Sequence, residues 1–388
     1  MIDSSLEEYR KINSILERDS TDTTYKFALL RGAIEVCEKY QHLGKEDDDK
    51  IWFPMGLLVE KWIFYYYPLL ANEPFIPQKS GEKPNGSSQS RMTFSLLLTE
   101  IIRYYKDAGG DLSGFHDDYE RGALPDEIKT TFLALCTNIR DTISKMPMKH
   151  LGYSSSRTHY SVFEYKPRKG PHFSSDVIDR DLLIQDYGEY SITRTMNTVF
   201  LYFGGFISGE NTLLLKWAQF SNARSEGKIS IGDAMEVLSR LPESGRDVRE
   251  AEKFYRSLWD KKKEVKCVWS GVSIKSLEEC NIDHLLPFAV WQNNELWNLM
   301  PATPEANNKK SDKIPSDELL EKRKDAILEY WDLMMKYNPT IFEKEIRISL
   351  TGQSMDGESW KELAFTALKQ KCEYLIKIRG YTEWNYNL

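Results

Sequence analysis

Cysteine is scarce in this sequence and falls in no metal-binding pattern. Five cysteines (Cys37, Cys136, Cys267, Cys280 and Cys372) are spread over 388 residues, with no CxxC pair. A disulfide framework and a four-cysteine zinc site are therefore disfavoured, and a reducing cytoplasm is the compartment that fits. Long apolar runs are missing too. The stretch from Met55 to Leu70 is broken by Glu60 and Lys61, and is too short and too charged to span a bilayer. The opening MIDSSLEEYRKINS lacks the apolar core of a signal peptide. There is no GxxxxGK[ST] loop to support nucleotide hydrolysis and no internal repeat. Positive charge is not in excess: 52 basic and 59 acidic side chains give a net charge of −7. That argues against a protein that coats nucleic acid by charge alone.

Apolar material is plentiful. Hydrophobic residues make up 41% and aromatics 12%, enough for a sizeable core, and the length suggests roughly two to three domains. The first ~145 residues read as helical by periodicity. Phe27, Leu30, Ile34 and Cys37 recur at helical spacing, with Asp22 as the expected N-cap. MGLLVEKWIFYYY (55–67) predicts a second helix that stops near Pro68, and 94–105 and 127–143 predict two more. Between them QKSGEKPNGSSQSR (78–91) reads as a polar loop. HYSVFEY (159–165) and EYSITR (189–194) favour strands. Helical periodicity returns over 213–220, 232–241, 247–262, 316–336 and 359–378. Trp62, Tyr65, Tyr66, Trp217 and Phe220 are expected in the core rather than on a base-stacking surface.

The chemistry lies in residues 267–316. Asp283 and His284 sit in a short apolar run, IDHLLPF, that reads as a strand entering a turn at Pro287. Strand neighbours point to opposite faces, so the two share a site only through bending, a bulge or separate roles. A polar loop, WQNNELWN, leads into NLMP, a second short strand. TPEANNKKSDK then reads as a helix with Thr303 as N-cap. The outline is strand, loop, strand, helix.

This outline resembles the HNH endonuclease family, a ββα-metal finger. The likeness is closest to the version found in RNA-guided CRISPR effector nucleases and many restriction-type enzymes. The Asp283–His284 pair followed by LLP, Asn298 in WNLMP fourteen residues after His284, and Asn307 nine residues further on in NNKKSDKIP occupy the three motif positions, and CVWSG matches a common opening. The resemblance implies that His284 is the general base, Asp283 and Asn307 the metal ligands, and Asn298 the residue that fixes the loop and orients His284. A carboxylate with an amide oxygen suits Mg²⁺ or Mn²⁺. Two departures stand out. The third position is Asn rather than His, and the zinc-stapling CxxC pairs of many relatives are missing, so Cys267 and Cys280 are expected to be buried thiols.

Lys309, Lys310 and Lys313 are the expected nucleic-acid contacts, with Lys261–Lys263 a further basic run. Residues 253–313 carry ten basic and eight acidic side chains on a body that is otherwise net negative. Arg157, His159, Asp176, Asp179, Asp181 and Asp186 cluster in sequence, but without the spacing of a second nuclease centre.

The expected fold is α+β and mostly helical. It comprises a helical N-terminal domain (1–145), a mixed central segment (146–225), a nuclease module with lead-in helices (226–318) and a C-terminal helical segment (319–388). The expected function is Mg²⁺-dependent DNA hydrolysis in restriction or anti-phage defence. YKFALLR (25–31) and EKWIFYYYPLL (60–70) also resemble N-terminal regions of restriction-type and phage-defence HNH proteins. A homodimer is expected because one such centre cuts one strand, and a defence-system partner is a further expected contact. A DNA-binding sensor subunit with little catalysis, or a toxin nuclease held by an inhibitor, are the alternatives.

Overall fold

The computed structural model describes residues 2–18, 21–83, 91–151, 162–169, 177–207, 210–240, 242, 246–261, 264–353, 355 and 359–386. The fold is α+β and mostly helical, with small sheets. Two compact units divide the chain, Met1–Glu243 and Ser244–Leu388. Among the described residues no helix is long and apolar enough to cross a membrane.

The first unit is built on aromatic helices. Tyr25–Lys39 and Met55–Ala71 pack together, and Trp62, Tyr66, Phe94 and Trp217 are fully or almost fully buried. Tyr66 lies 5.0 Å from Phe94 and 5.5 Å from Trp217, within aromatic contact range. The five aromatics expected in the core are all buried. Gly56 permits backbone-to-backbone approach: a Cβ there would meet the Leu183 carbonyl oxygen at 1.9 Å.

Three local expectations for this unit are corrected. The helix runs through Pro68 to Ala71, because burial of Tyr65, Tyr66, Tyr67 and Leu69 outweighs one lost hydrogen bond. Asp22 does not cap the next helix. Its carbonyl accepts Ser80 N at 2.8 Å, and Thr24, not Asp22, precedes the first turn. Gln78 opens the polar loop yet is fully buried: its Oε1 accepts Trp217 Nε1 and Thr24 Oγ1, and its Nε2 donates to Ser221. Residues 84–90 of that loop lie outside the described residues.

A four-stranded antiparallel sheet joins distant segments. β1 (Lys45–Asp47), β2 (Lys50–Pro54), β3 (Glu164–Lys166) and β4 (Glu189–Thr193) are ordered β1-β2-β4-β3. The β1–β2 hairpin was not expected in a region read as helical. Its second strand is only KIWFP, and it is fixed by pairing with β4 some 140 residues later, Phe53 opposite Tyr190. Helix Ile231–Ser239, expected as a lead-in to the later module, packs here on Leu215–Arg224, with Leu238 O accepting Arg31 Nη1 at 3.0 Å. Asp179, Asp181 and Asp186 of the central cluster have structural partners. Asp179 caps Arg180–Asp186 and Asp186 pairs with Arg168, whereas Arg157, His159 and Asp176 lie outside the described residues.

The second unit carries the anticipated strand–loop–strand–helix. β5 (Val265–Lys266) and β6 (Ser273–Ile274) form a short hairpin, and β7 (Asn281–His284) pairs antiparallel with β8 (Leu299–Ala302). The helix Pro304–Lys310 follows, with Thr303 accepting Ala306 N as its cap. β9 (Ile314–Pro315) then pairs in parallel with β10 (Glu383–Trp384). Helices Asp317–Tyr337 and Ser359–Lys377 complete a core around Trp269, Trp297 and Trp331.

Candidate active site

β7 and β8 run in continuous register, with Asp283 opposite Met300 and His284 opposite Leu299 and no bulge between them. Consecutive strand residues therefore keep opposite directions, and their partners differ accordingly. Asp283 Oδ2 accepts Trp269 Nε1 at 2.6 Å. Its Oδ1 accepts His284 N at 2.8 Å and Lys310 Nζ at 3.4 Å. The His284 ring lies 5.6 Å from Phe288, and Nε2 is 3.3 Å from Asn294 Oδ1. Both side chains are nearly covered, Asp283 at 4% and His284 at 2% exposed.

The hydrogen-bond network sets the His284 tautomer. Asp247 N–H donates to Asn294 Oδ1 at 3.1 Å, so the amide oxygen is the end that faces the ring. An amide oxygen cannot donate, so Nε2 carries the proton and Nδ1 keeps its lone pair. Burial pushes the imidazole down to about 4. The Asn294 bond opposes that shift, and the charges of Arg246 and Lys310 add to it. The ring is therefore neutral near pH 7.

Asn298 is fully buried and ties the loop together. Its Oδ1 accepts Leu286 N at 2.8 Å, and its Nδ2 donates to Leu286 O and Asn293 O, each at 3.1 Å. Its turn is braced from outside the finger: Leu296 N donates to Glu345 Oε2 at 2.8 Å, and Ser349 donates to Glu295. Asn307 lies on Pro304–Lys310, one turn before Lys310 and on the same face. That helix packs on β7, and the Asn307 side-chain amide makes no hydrogen bond among the described residues.

The expected lysine contacts divide. Lys310 is corrected: it has no exposed surface, and its ammonium is directed to Asp283 and the His284 carbonyl. A seven-residue helix with one buried face turns this lysine inward. Burial pushes its ammonium down, and Asp283 opposes the shift. Lys309 is exposed and pairs with Glu305 at 2.6 Å, and Lys313 donates to the Lys309 carbonyl. Lys261 is exposed, while Lys262 and Lys263 lie outside the described residues.

Three contributors were not anticipated. Trp269 and Asn294 stand in the quoted motifs, CVWSG and WQNNELWN, but nothing local reveals what they touch. Arg246 precedes the finger by twenty-one residues and carries no sequence signal. Its Nη2 donates to the Ile282 carbonyl on β7.

A ββα finger holding an Asp–His pair, a loop asparagine and a helix asparagine defines the HNH class, and residues 267–316 match the family model described as HNH endonuclease. Residues 5–238 match a second model, a domain of unknown function (DUF8808); it spans more than half of the chain, and the chain belongs to that family. No curated protein and no solved structure matches the chain.

Proposed function

We propose that this chain is a divalent-metal-dependent endonuclease that hydrolyses DNA phosphodiester bonds. The observation that carries the reading is a neutral, oriented imidazole on the same strand as Asp283, against which the helix bearing Asn307 packs. His284 presents Nδ1 as acceptor for a proton of the attacking water, while Asn294 fixes the ring through Nε2. Asp283 and Asn307 fit a hard cation. Asp283 Oδ2 has Trp269 as its hydrogen-bond partner and retains a lone pair, and the Asn307 amide is unengaged among the described residues. Mg²⁺ or Mn²⁺ bound there would stabilise charge on the phosphate in the transition state and on the leaving 3′-oxygen. Asn298 holds the loop that carries Asn294, and Lys310 fixes the orientation of the Asp283 carboxylate. Lys309, in the last turn of the same helix, and Lys313, three residues past its end, contact backbone phosphates in this reading. Because His284 is nearly covered, the side chains that touch it must shift to admit substrate.

Restriction or anti-phage defence in the cytoplasm is the proposed role, supported by the N-terminal resemblance and an acidic body suited to sparing random DNA at physiological salt. A homodimer would supply the second centre for duplex cleavage, and a defence partner is the proposed source of activation.

The test is plasmid cleavage with Mg²⁺ or Mn²⁺. Wild type is expected to cut and to stop with chelator, and His284→Ala to bind DNA but cut roughly 10²–10⁴-fold more slowly. An unchanged rate in His284→Ala refutes the reading. A wild type that binds and never cuts supports the sensor alternative, and co-purification with a small inhibitor supports the toxin.

A further inference from the structure

We propose that Arg246 is a substrate-binding residue of this site, holding a backbone phosphate of the DNA beside Asp283 and His284. The inference rests on the nuclease reading and extends the site beyond the finger, whose matched residues begin at 267.

Three observations converge on it. First, Arg246 is exposed, yet its guanidinium is fixed over β7 by the bond from Nη2 to the Ile282 carbonyl, next to Asp283. The remaining N–H donors of the fork are left for an acceptor. Second, the following residue is fixed as well: Asp247 N donates to the same Asn294 oxygen that faces His284, so this segment and the imidazole share one anchor. Third, no carboxylate pairs with Arg246 among the described residues. By contrast, Arg249 pairs with Asp247, Lys266 with Glu264 and Lys309 with Glu305.

With Lys310 buried against Asp283, Arg246 is an exposed cation fixed to the strand of the proposed base. A planar fork beside the reacting centre is the geometry that binds non-bridging phosphate oxygens. The ligand class is a nucleic-acid phosphodiester backbone, read without base specificity.

The test compares Arg246→Gln and Arg246→Lys in the full-length chain. Binding to a labelled random-sequence duplex is measured over a range of salt, in a His284→Ala background so that no cutting intervenes. Arg246→Gln is expected to bind roughly tenfold more weakly, with a salt slope shallower by about 0.9, the signature of one lost phosphate contact. Arg246→Lys is expected to keep most of the slope. If Gln disturbs folding, seen as a lowered Tm, Arg246→Met keeps the stem packed and takes its place. Wild-type affinity and slope in the charge-removed variant overturn the proposal, even if wild type cuts DNA. A wild type that binds but never cuts removes the nuclease reading instead, and the slope difference still decides whether Arg246 holds a phosphate.

Discussion

The buried pair Lys310–Asp283 offers the sharpest test of the site's construction. At 3.4 Å the gross attraction between unit charges is about 5 kcal/mol with an effective dielectric of ~20. Desolvation of Lys310 cancels part of it, and the Asp283 carboxylate keeps Trp269 Nε1 and His284 N as partners when the lysine is gone. Lys310→Met replaces the ammonium with an apolar chain of similar reach and also removes the donor to the His284 carbonyl. It is expected to destabilise the second unit by roughly 3 kcal/mol. Asp283→Asn removes the charge on the other side. The double variant isolates the pair, and its coupling energy is expected at roughly 2 kcal/mol. The assay is denaturant unfolding of the full chain with chelator present, followed by tryptophan fluorescence, which includes Trp269 at the pair itself. Additivity of the two substitutions within ~0.5 kcal/mol would refute the claim that Lys310 holds Asp283.

Three further outcomes are expected. Asn294→Ala frees the imidazole to choose either tautomer and should lower the cleavage rate roughly 10–100-fold, with a smaller loss of DNA affinity than Arg246→Gln because Arg246 keeps its bond to the Ile282 carbonyl, measured by single-turnover cleavage and by binding. Asn298→Ala leaves Leu286 N–H and two carbonyls without their partner and should cost about 3 kcal/mol in denaturant unfolding. Burial, and then the charge of Glu295, raises the Glu345 carboxyl well above the ordinary glutamate range, although the residue keeps some exposed surface. A raised folded value means that its contribution to stability is complete below the unfolded pKa and is lost as pH rises towards the folded one. Glu345→Gln should therefore have a higher Tm than wild type near neutral pH. That advantage should vanish below about pH 4, and a constant difference across pH would contradict it.

What was legible in the sequence was local. The finger could be read because each element announces itself: Pro287 stands in the turn that follows the first strand, Thr303 caps the helix, and the motif residues keep their spacing. The loop role of Asn298 was legible for the same reason. β2 was not, because five residues after an acidic turn become a strand only when β4 arrives from far along the chain. Lys310 read as a surface cation because seven helical residues do not reveal which face is covered. Asn294 and Arg246 act through Asp247 N and the Ile282 carbonyl, and partners made by tertiary contact leave no trace in spacing.

The parallel pairing of β9 with β10 has a consequence in time. Ile314 N bonds the Thr382 carbonyl and Ser316 N the Trp384 carbonyl, both at 2.9 Å, and the Trp384 ring stands edge-on 5.3 Å from Trp269. Trp269 in turn donates to Asp283. The tryptophan that holds the acidic residue is thus backed by a strand made some seventy residues after the finger. During synthesis the finger emerges first with that backing absent, and the centre gains its final support only when Trp384 has cleared the ribosome. The order of synthesis thus separates the making of the finger from the making of the strand that backs Trp269.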